Sequence, residues 1–172
     1  MDERSSESAG TRDTAPNHGL WPAPRLRFTV AGLPVPQGSL RPVPGRGRLA
    51  GRTMLVPDNE AELHRWRRHV AQSCSMVYSR PATSTAWSVR LVFTLPRPLS
   101  VSSRRRPLPT VRPDLDKLVR AVLDALTGVL FADDAQVVAL IATKAYGAVP
   151  QLAVEAYEGT SATRGPECET GR

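Results

Sequence analysis

The sequence predicts an α+β fold of mixed α/β character, in which a small mixed sheet of about four strands carries two main helices. Three observations lead there. Two segments repeat apolar residues at steps of three and four, the period of a helix with one buried side. Two others alternate apolar and polar residues, the period of a half-buried strand. The elements then follow one another as strand, helix, strand, helix, strand, strand, with turn residues between them.

Leu26–Ala31 reads as the first strand. The run from Gly32 to Pro42 ends it, a loop fixed by Pro34, Pro36 and Gly38. Residues 41–53 continue as an Arg/Gly/Pro loop with almost no core former, expected to be mobile without a ligand. Asp58 or Asn59 then caps a helix whose apolar stripe is Leu63, Trp66, Val70, Cys74 and Val77. His64, Arg65, Arg67 and Arg68 lie off that stripe, and both His64 and His69 read as helix surface. Ser88–Leu95 is a strand, with Val89, Leu91, Phe93 and Leu95 on one face and Ser88, Arg90 and Thr94 on the other. Pro96 and Pro98 end it, and a proline-broken loop holding Arg104, Arg105 and Arg106 follows.

Leu115–Leu126 is the second helix, with Leu115, Leu118, Val122, Leu123 and Leu126 on one side and Gly128 as its C-cap. Gln136–Tyr146 is apolar on both faces through Val137, Val138, Ala139, Leu140 and Ile141, and so reads as a central strand. Gly147–Pro150 makes a turn, and Leu152, Val154 and Ala156 alternate in a last strand.

At 172 residues the chain suits one domain with a core that needs no staples. Residues 1–24 and 159–172 are polar and poor in apolar side chains, and they read as disordered tails around a folded domain at 25–158. No apolar run is long enough to cross a bilayer, and the polar first residues carry no apolar h-region, so neither a membrane span nor a secretory signal is expected. Cys74 and Cys168 have no metal spacing and suggest no disulfide framework, so a reducing cytoplasm is the simplest home.

The net charge of +7 hides an asymmetry. From Arg25 to Arg112 there are 16 Arg and 3 acids, a net of +13; from Pro113 to Glu158 there are 7 acids and 3 bases, a net of −4. Nearly all the basic residues are Arg, whose planar fork suits phosphate. A GC-rich genome accounts for Arg over Lys, but not for the clustering.

The acidic residues gather at Asp114, Asp116, Asp124, Asp133 and Asp134. Such an island beside a cationic surface suits a hard divalent cation held against a polyanion, which is what metal-dependent cutting of nucleic acid needs. Asp114 and Asp116 are two apart, and in extended backbone that spacing points both carboxylates to one face. Pro113 disfavours helix at Arg112 and marks the junction of loop and helix. Two carboxylates and a third from another loop can hold Mg²⁺ and leave positions open for phosphate and water.

Plainer readings stand beside these. Asp114 or Asp116 can simply N-cap the helix, and Asp133-Asp134 can be an ordinary turn. Asp124 has Arg120 at i−4 and reads as half of a solvated ion pair. Lys117 and Arg120 are candidate cations beside a metal, or exposed helix residues. Lys144, inside an apolar strand, either snorkels to an edge or points into a polar site, with the site preferred. Tyr146 is a core residue or a platform for a base.

The run from Arg112 to Val138 holds Asp114-Leu-Asp116-Lys117, then Asp124-Ala-Leu126, then Asp133-Asp-Ala-Gln-Val137. It resembles the core motif of the RusA-type Holliday junction resolvases: Asp-x-Asp-Asn, a helix carrying Asp-Ala-Leu, then Asp-Asp-x-Gln-Val. The resemblance extends to Lys144 and Tyr146-Gly147, and to the Pro34-Val-Pro-Gln-Gly-Ser-Leu-Arg-Pro42 loop, so it spans most of residues 25–158. It implies a homodimer dependent on Mg²⁺, with Mn²⁺ as substitute, that cuts four-way DNA junctions by paired nicks. The family's three essential carboxylates fall on Asp114, Asp116 and Asp134, with Asp133 adjacent as a further metal ligand. Its helix lysine falls on Arg120, and the Asn of its motif on Lys117; both are departures. The dimer suits a two-fold substrate. Arg41, Arg46, Arg48, Arg52, Arg104, Arg105, Arg106 and Lys144 would grip the DNA backbone without reading bases.

Two other readings compete. One is a branched-DNA-binding protein of the same fold with a weak or inactive site. The other, ranked low, is a sugar transferase that uses Asp114-Leu-Asp116 to hold a metal diphosphate; the chain is short and basic for that role.

Overall fold

The structure, a computed structural model, describes residues 23–38, 40–44, 47–57, 59–100, 102 and 104–159. Most of both expected tails, together with Arg46 and Asp58, lies outside these. The elements are β1 (Leu26–Ala31), β2 (Leu40–Pro44), β3 (Thr53–Pro57), α1 (Glu60–Val77), β4 (Trp87–Leu95), α2 (Leu115–Leu126), β5 (Val137–Tyr146) and β6 (Gln151–Glu158). Short 3₁₀ turns occupy Gly47–Leu49 and Asp134–Gln136.

Four strands form one mixed sheet in the order β1-β6-β4-β5. β6 runs antiparallel to both its neighbours, while β4 and β5 are parallel. A parallel pair needs a long crossover, and here α2 lies in it. The expected α+β class with two helices on a small mixed sheet is what the chain adopts.

Two expectations change. Residues 41–53 are not simply loop, because β2 and β3 pair antiparallel from Leu40↔Pro57 to Pro44↔Thr53. The prolines that argued against strand are tolerated because each strand of a two-stranded ribbon has only one neighbour, so half its N–H groups need no ladder partner. The second change concerns β5, which is an edge strand rather than a central one. Among the described residues it pairs only with β4, and β6 takes the central place between β1 and β4. Val138, Leu140 and Ile141 of β5 are therefore 61%, 41% and 41% exposed. An apolar run shows what a strand is made of, not which neighbour arrives beside it.

Both helices cover one face of the sheet. Leu63, Trp66, Val70 and Cys74 of α1 share one buried cluster with Val89, Leu91 and Phe93 of β4 and Leu118, Val122 and Leu126 of α2, with α1 packed against α2 and β1. Each large apolar side chain fully buried here contributes about 1.5–3 kcal/mol. The α1 stripe ends one residue later than its period suggests: Val77 is exposed, and Tyr78 at the C-cap is buried. Burial also pushes the Cys74 thiol up to about 11, which keeps it protonated at neutral pH. Gly128, just past α2, takes a positive φ of 79°, as its reading as a C-cap requires.

The opposite sheet face carries a polar network. Glu155 of β6 receives Arg27 from β1 at 2.8 Å and Arg90 from β4 at 3.2 Å. Tyr157 donates its hydroxyl to the same carboxylate at 2.9 Å. Desolvation alone would raise the Glu155 pKa; the hydrogen bonds from Tyr157 and Arg90 and the charges of Arg27 and Arg90 outweigh it and hold it below the usual value.

Two outcomes are expected. A Cβ at Gly147 would lie 2.4 Å from Thr94 Cγ2. Gly147→Ala should therefore lower unfolding free energy by about 1–3 kcal/mol in urea titrations, and adding Thr94→Ser, which deletes that methyl, should return part of the loss. Because its folded pKa is depressed, charged Glu155 stabilises the fold above its unfolded pKa, and that contribution disappears as pH falls through the folded value. The stability gap between wild type and Glu155→Gln, about 1–3 kcal/mol near neutrality, should shrink in acid-titration melts below pH ~4.

Candidate metal and nucleic-acid site

The site forms where α2 begins. Asp114 occupies the N-cap position with an extended backbone (φ −70°, ψ 139°), yet its side chain makes no capping hydrogen bond. The carboxylate is thus not consumed by the plainer reading, and an anion at a helix N-terminus is favoured by the dipole in any case. The Arg112–Pro113 peptide before it is cis.

Helix starts at Leu115, so Asp116 already sits in the first turn. This overturns the expectation that Asp114 and Asp116 share one face through extended backbone, because the strand period ends one residue too soon. The two carboxylates line adjoining cavities instead. Asp116 faces a cavity of about 740 Å³ together with Lys117, Arg120 and Asp134, over a floor that includes Val119, Leu123 and Leu140. Asp114 faces a second cavity of about 470 Å³ beside Arg112 and Lys117. Gln37, Gly38 and Lys117 line both, so they form the seam. Lys117 Nζ lies 3.5 Å from Asp114 Oδ2.

Asp133 and Asp134 divide their work. Asp133 caps the 3₁₀ turn: its Oδ1 accepts from Ala135 N at 2.8 Å, and its own N–H donates to Gln136 Oε1 at 2.8 Å. Asp134 is left to face the cavity. Gln136 then sends its amide group to the carbonyls of Thr83 and Thr85, both at 2.8 Å. One side chain thereby ties the Asp133–Asp134 turn to the segment that enters β4. The pattern Asp133-x-x-Gln136 is a capping-box signal legible in the sequence, although the reach to Thr83 and Thr85 is not.

The seam loop is held as well. Gln37 N donates to Lys117 O at 2.9 Å, and Asn59 Nδ2 donates to Pro36 O at 2.9 Å. Arg67 of α1 contacts both the Gln37 side chain and Asp124 of α2. The expected Arg120–Asp124 pair is thus replaced by Arg67–Asp124, because packing of α1 beside α2 brings a cation to Asp124 from outside its own helix. Arg120 is left on the cavity wall.

Lys144 reaches backbone, donating to Val111 O at 2.9 Å and Pro113 O at 2.8 Å. Arg97 donates to the carbonyls of Arg106 and Pro107 and stacks 4.1 Å above the Tyr146 ring. Tyr146 is therefore half-buried under an arginine. Of the arginines expected to hold DNA, Arg48, Arg52, Arg104 and Arg105 are exposed and Arg106 is half-buried. Arg41 lies in β2, where its side chain is outside the described set, as is all of Arg46.

Asp116 and Asp134 give one cavity two carboxylates, with room for water and a phosphate. That donor set fits Mg²⁺, which commonly takes one or two carboxylates from protein and fills its octahedron with waters and substrate oxygens. Among the described residues, no group of three or more His, Cys, Asp and Glu is close enough to enclose an ion without such help. No helix among them is long and apolar enough to cross a membrane.

Comparison with known proteins gives two findings. The family model described as Endodeoxyribonuclease RusA matches residues 34–157. A protein of Bacillus subtilis (strain 168), described as uncharacterized protein YqaN, is 31% identical over 140 residues, covering 75% of this chain and 93% of that protein.

Gln136→Leu removes the staple while keeping bulk. It should cost about 1–3 kcal/mol in denaturant unfolding and speed hydrogen exchange at the Asp133 amide, with exchange in α1 unchanged.

Proposed function

We propose, from the premise that this chain belongs to the RusA family of endodeoxyribonucleases, that it is a Mg²⁺-dependent, structure-specific nuclease acting in the cytoplasm. As a homodimer it would resolve four-way (Holliday) junctions by paired symmetric nicks, in DNA recombination, repair or phage DNA processing. One observation carries the reading: Asp116, Lys117 and Arg120 from a single helix and Asp134 from the turn after it line the same cavity.

In this reading Asp116 and Asp134 would hold the ion from one cavity, and Asp114, across the seam, would be its third carboxylate ligand. Mg²⁺ bound there supplies a Lewis acid for the phosphoryl oxygen and lowers the pKa of a bound water. Arg120 sets a permanent positive charge on the same wall, where the reacting phosphate gathers negative charge. Lys117 at the seam balances the charge of Asp114 and lies within the cavity that would take the phosphate. Arg48, Arg52, Arg104 and Arg105 offer exposed forks to the flanking DNA backbone. Two subunits related by a two-fold axis match the two-fold symmetry of a junction and supply one site for each nick.

A second reading has an observation of its own. Lys117 already pairs with Asp114, which favours a chain that binds branched DNA and cuts it weakly or not at all.

The deciding experiment is cleavage of a synthetic four-way junction beside linear duplex, with and without Mg²⁺. Junction-selective nicking that needs the metal is the expected result. Asp116→Asn should lower the cutting rate by about 10²–10³-fold while junction binding in gel shift persists. Binding affinity should fall linearly on a log–log plot against salt, with a slope of about −0.9 per phosphate neutralised. Tight junction binding without nicking across a metal screen selects the second reading. Asp116→Asn that cuts as fast as wild type removes the carboxylate assignment.

A further inference from the structure

Lys144 stands in β5, an apolar edge strand where a charged side chain needs a reason. An ammonium has three donors and no acceptor. Here it donates to the carbonyls of Val111 and Pro113, at 2.9 and 2.8 Å. These are two of the last three carbonyls before Asp114.

The second bond has a geometric consequence. The Pro113 carbonyl and the Asp114 N–H belong to one rigid peptide plane. Holding that carbonyl fixes the plane, and with it the direction in which the Asp114 Cα and side chain leave the loop. The helix cannot do this alone, since Asp114 is the half-in residue at its start and makes no side-chain cap. Arg97 secures the earlier part of the same loop through the Arg106 and Pro107 carbonyls, and it packs on Tyr146, two residues beyond Lys144 in β5. The loop over residues 106–113 is thus tied to the sheet at both ends by basic side chains that address backbone.

We propose that Lys144 is a positioning residue for Asp114, orienting that carboxylate through the Pro113–Asp114 peptide, rather than a contact for the DNA backbone. The inference rests on the reading of Asp114 as a carboxylate of a metal-dependent nuclease. Its logic is that of partners that orient metal ligands without touching the ion.

The test uses the full chain with Lys144→Met, which keeps length and loses both bonds, and Lys144→Arg, which keeps a charge and donors in altered geometry. Mn²⁺ alone is the probe, titrated by electron paramagnetic resonance without DNA. Junction cleavage then yields kcat and KM separately. Lys144→Met should weaken Mn²⁺ binding by about 10–100-fold and lower kcat, leaving junction KM and the salt slope of binding at wild-type values. Lys144→Arg should fall between the two. Unchanged Mn²⁺ affinity in Lys144→Met, with a raised KM and a salt slope reduced by about 1, marks a phosphate contact and overturns the proposal. Where Lys144→Met shows no cooperative melt, Lys144→Arg decides: a several-fold loss of Mn²⁺ affinity at unchanged KM supports positioning, and wild-type affinity overturns it. A wild-type chain that neither binds Mn²⁺ nor cuts junctions refutes the proposed function and takes this inference with it. A wild type that does both, matched by Lys144→Met, refutes only the role of Lys144.

Discussion

Packing of α2 against α1 and β5 determines where the functional groups lie. The helix commits Leu118, Ala121, Val122, Ala125 and Leu126 to the core. Residues four apart on a helix lie one above the other, so once that side is buried, Asp116 and Arg120 must rise together on another. Val119 and Leu123 lie between the two sides and floor the cavity. An acid and a base one turn apart thus share a wall as a consequence of apolar burial. No polar interaction is needed to aim them.

What core packing cannot do is place the groups that arrive on loops. Asp114 and Asp134 lie on either side of α2 in chain order, one on the segment entering it and one on the turn leading to β5. Each is set by a side chain that bonds to backbone carbonyls from a distance: Lys144 to Val111 and Pro113, Gln136 to Thr83 and Thr85. A single such bond contributes only about 1 kcal/mol to stability. Its larger effect is directional, because a carbonyl fixes a peptide plane and the plane fixes the next side chain.

The basic half of the chain divides along the same line. Arg67, Arg90, Arg97 and Lys144 have partners inside the fold: a carboxylate on α2, one on β6, and backbone carbonyls in the loop before α2. Arg48, Arg52, Arg104 and Arg105 are exposed. A large positive count therefore does not measure the surface offered to a polyanion. The exposed subset does, and among the described residues it includes Arg65 and Arg68 on α1, Arg80 after it and Arg120 on α2, beside Arg48, Arg52, Arg104, Arg105 and Arg112 on the loops that flank β2, β3 and α2.

Local pattern determined the secondary structure almost throughout. The three-and-four spacing in α1 and α2, the alternation in β4 and β6, and the acidic motif with its family resemblance are all properties of neighbours in sequence. Only the tertiary structure decided which strand lies at the edge, that Arg67 rather than Arg120 meets Asp124, that Asp114 and Asp116 open into adjoining cavities, and that Lys144 turns to backbone. The reason is common to all four. Each depends on segments far apart in the chain being brought together by burial, and the period of one segment carries no information about which other segment will lie against it.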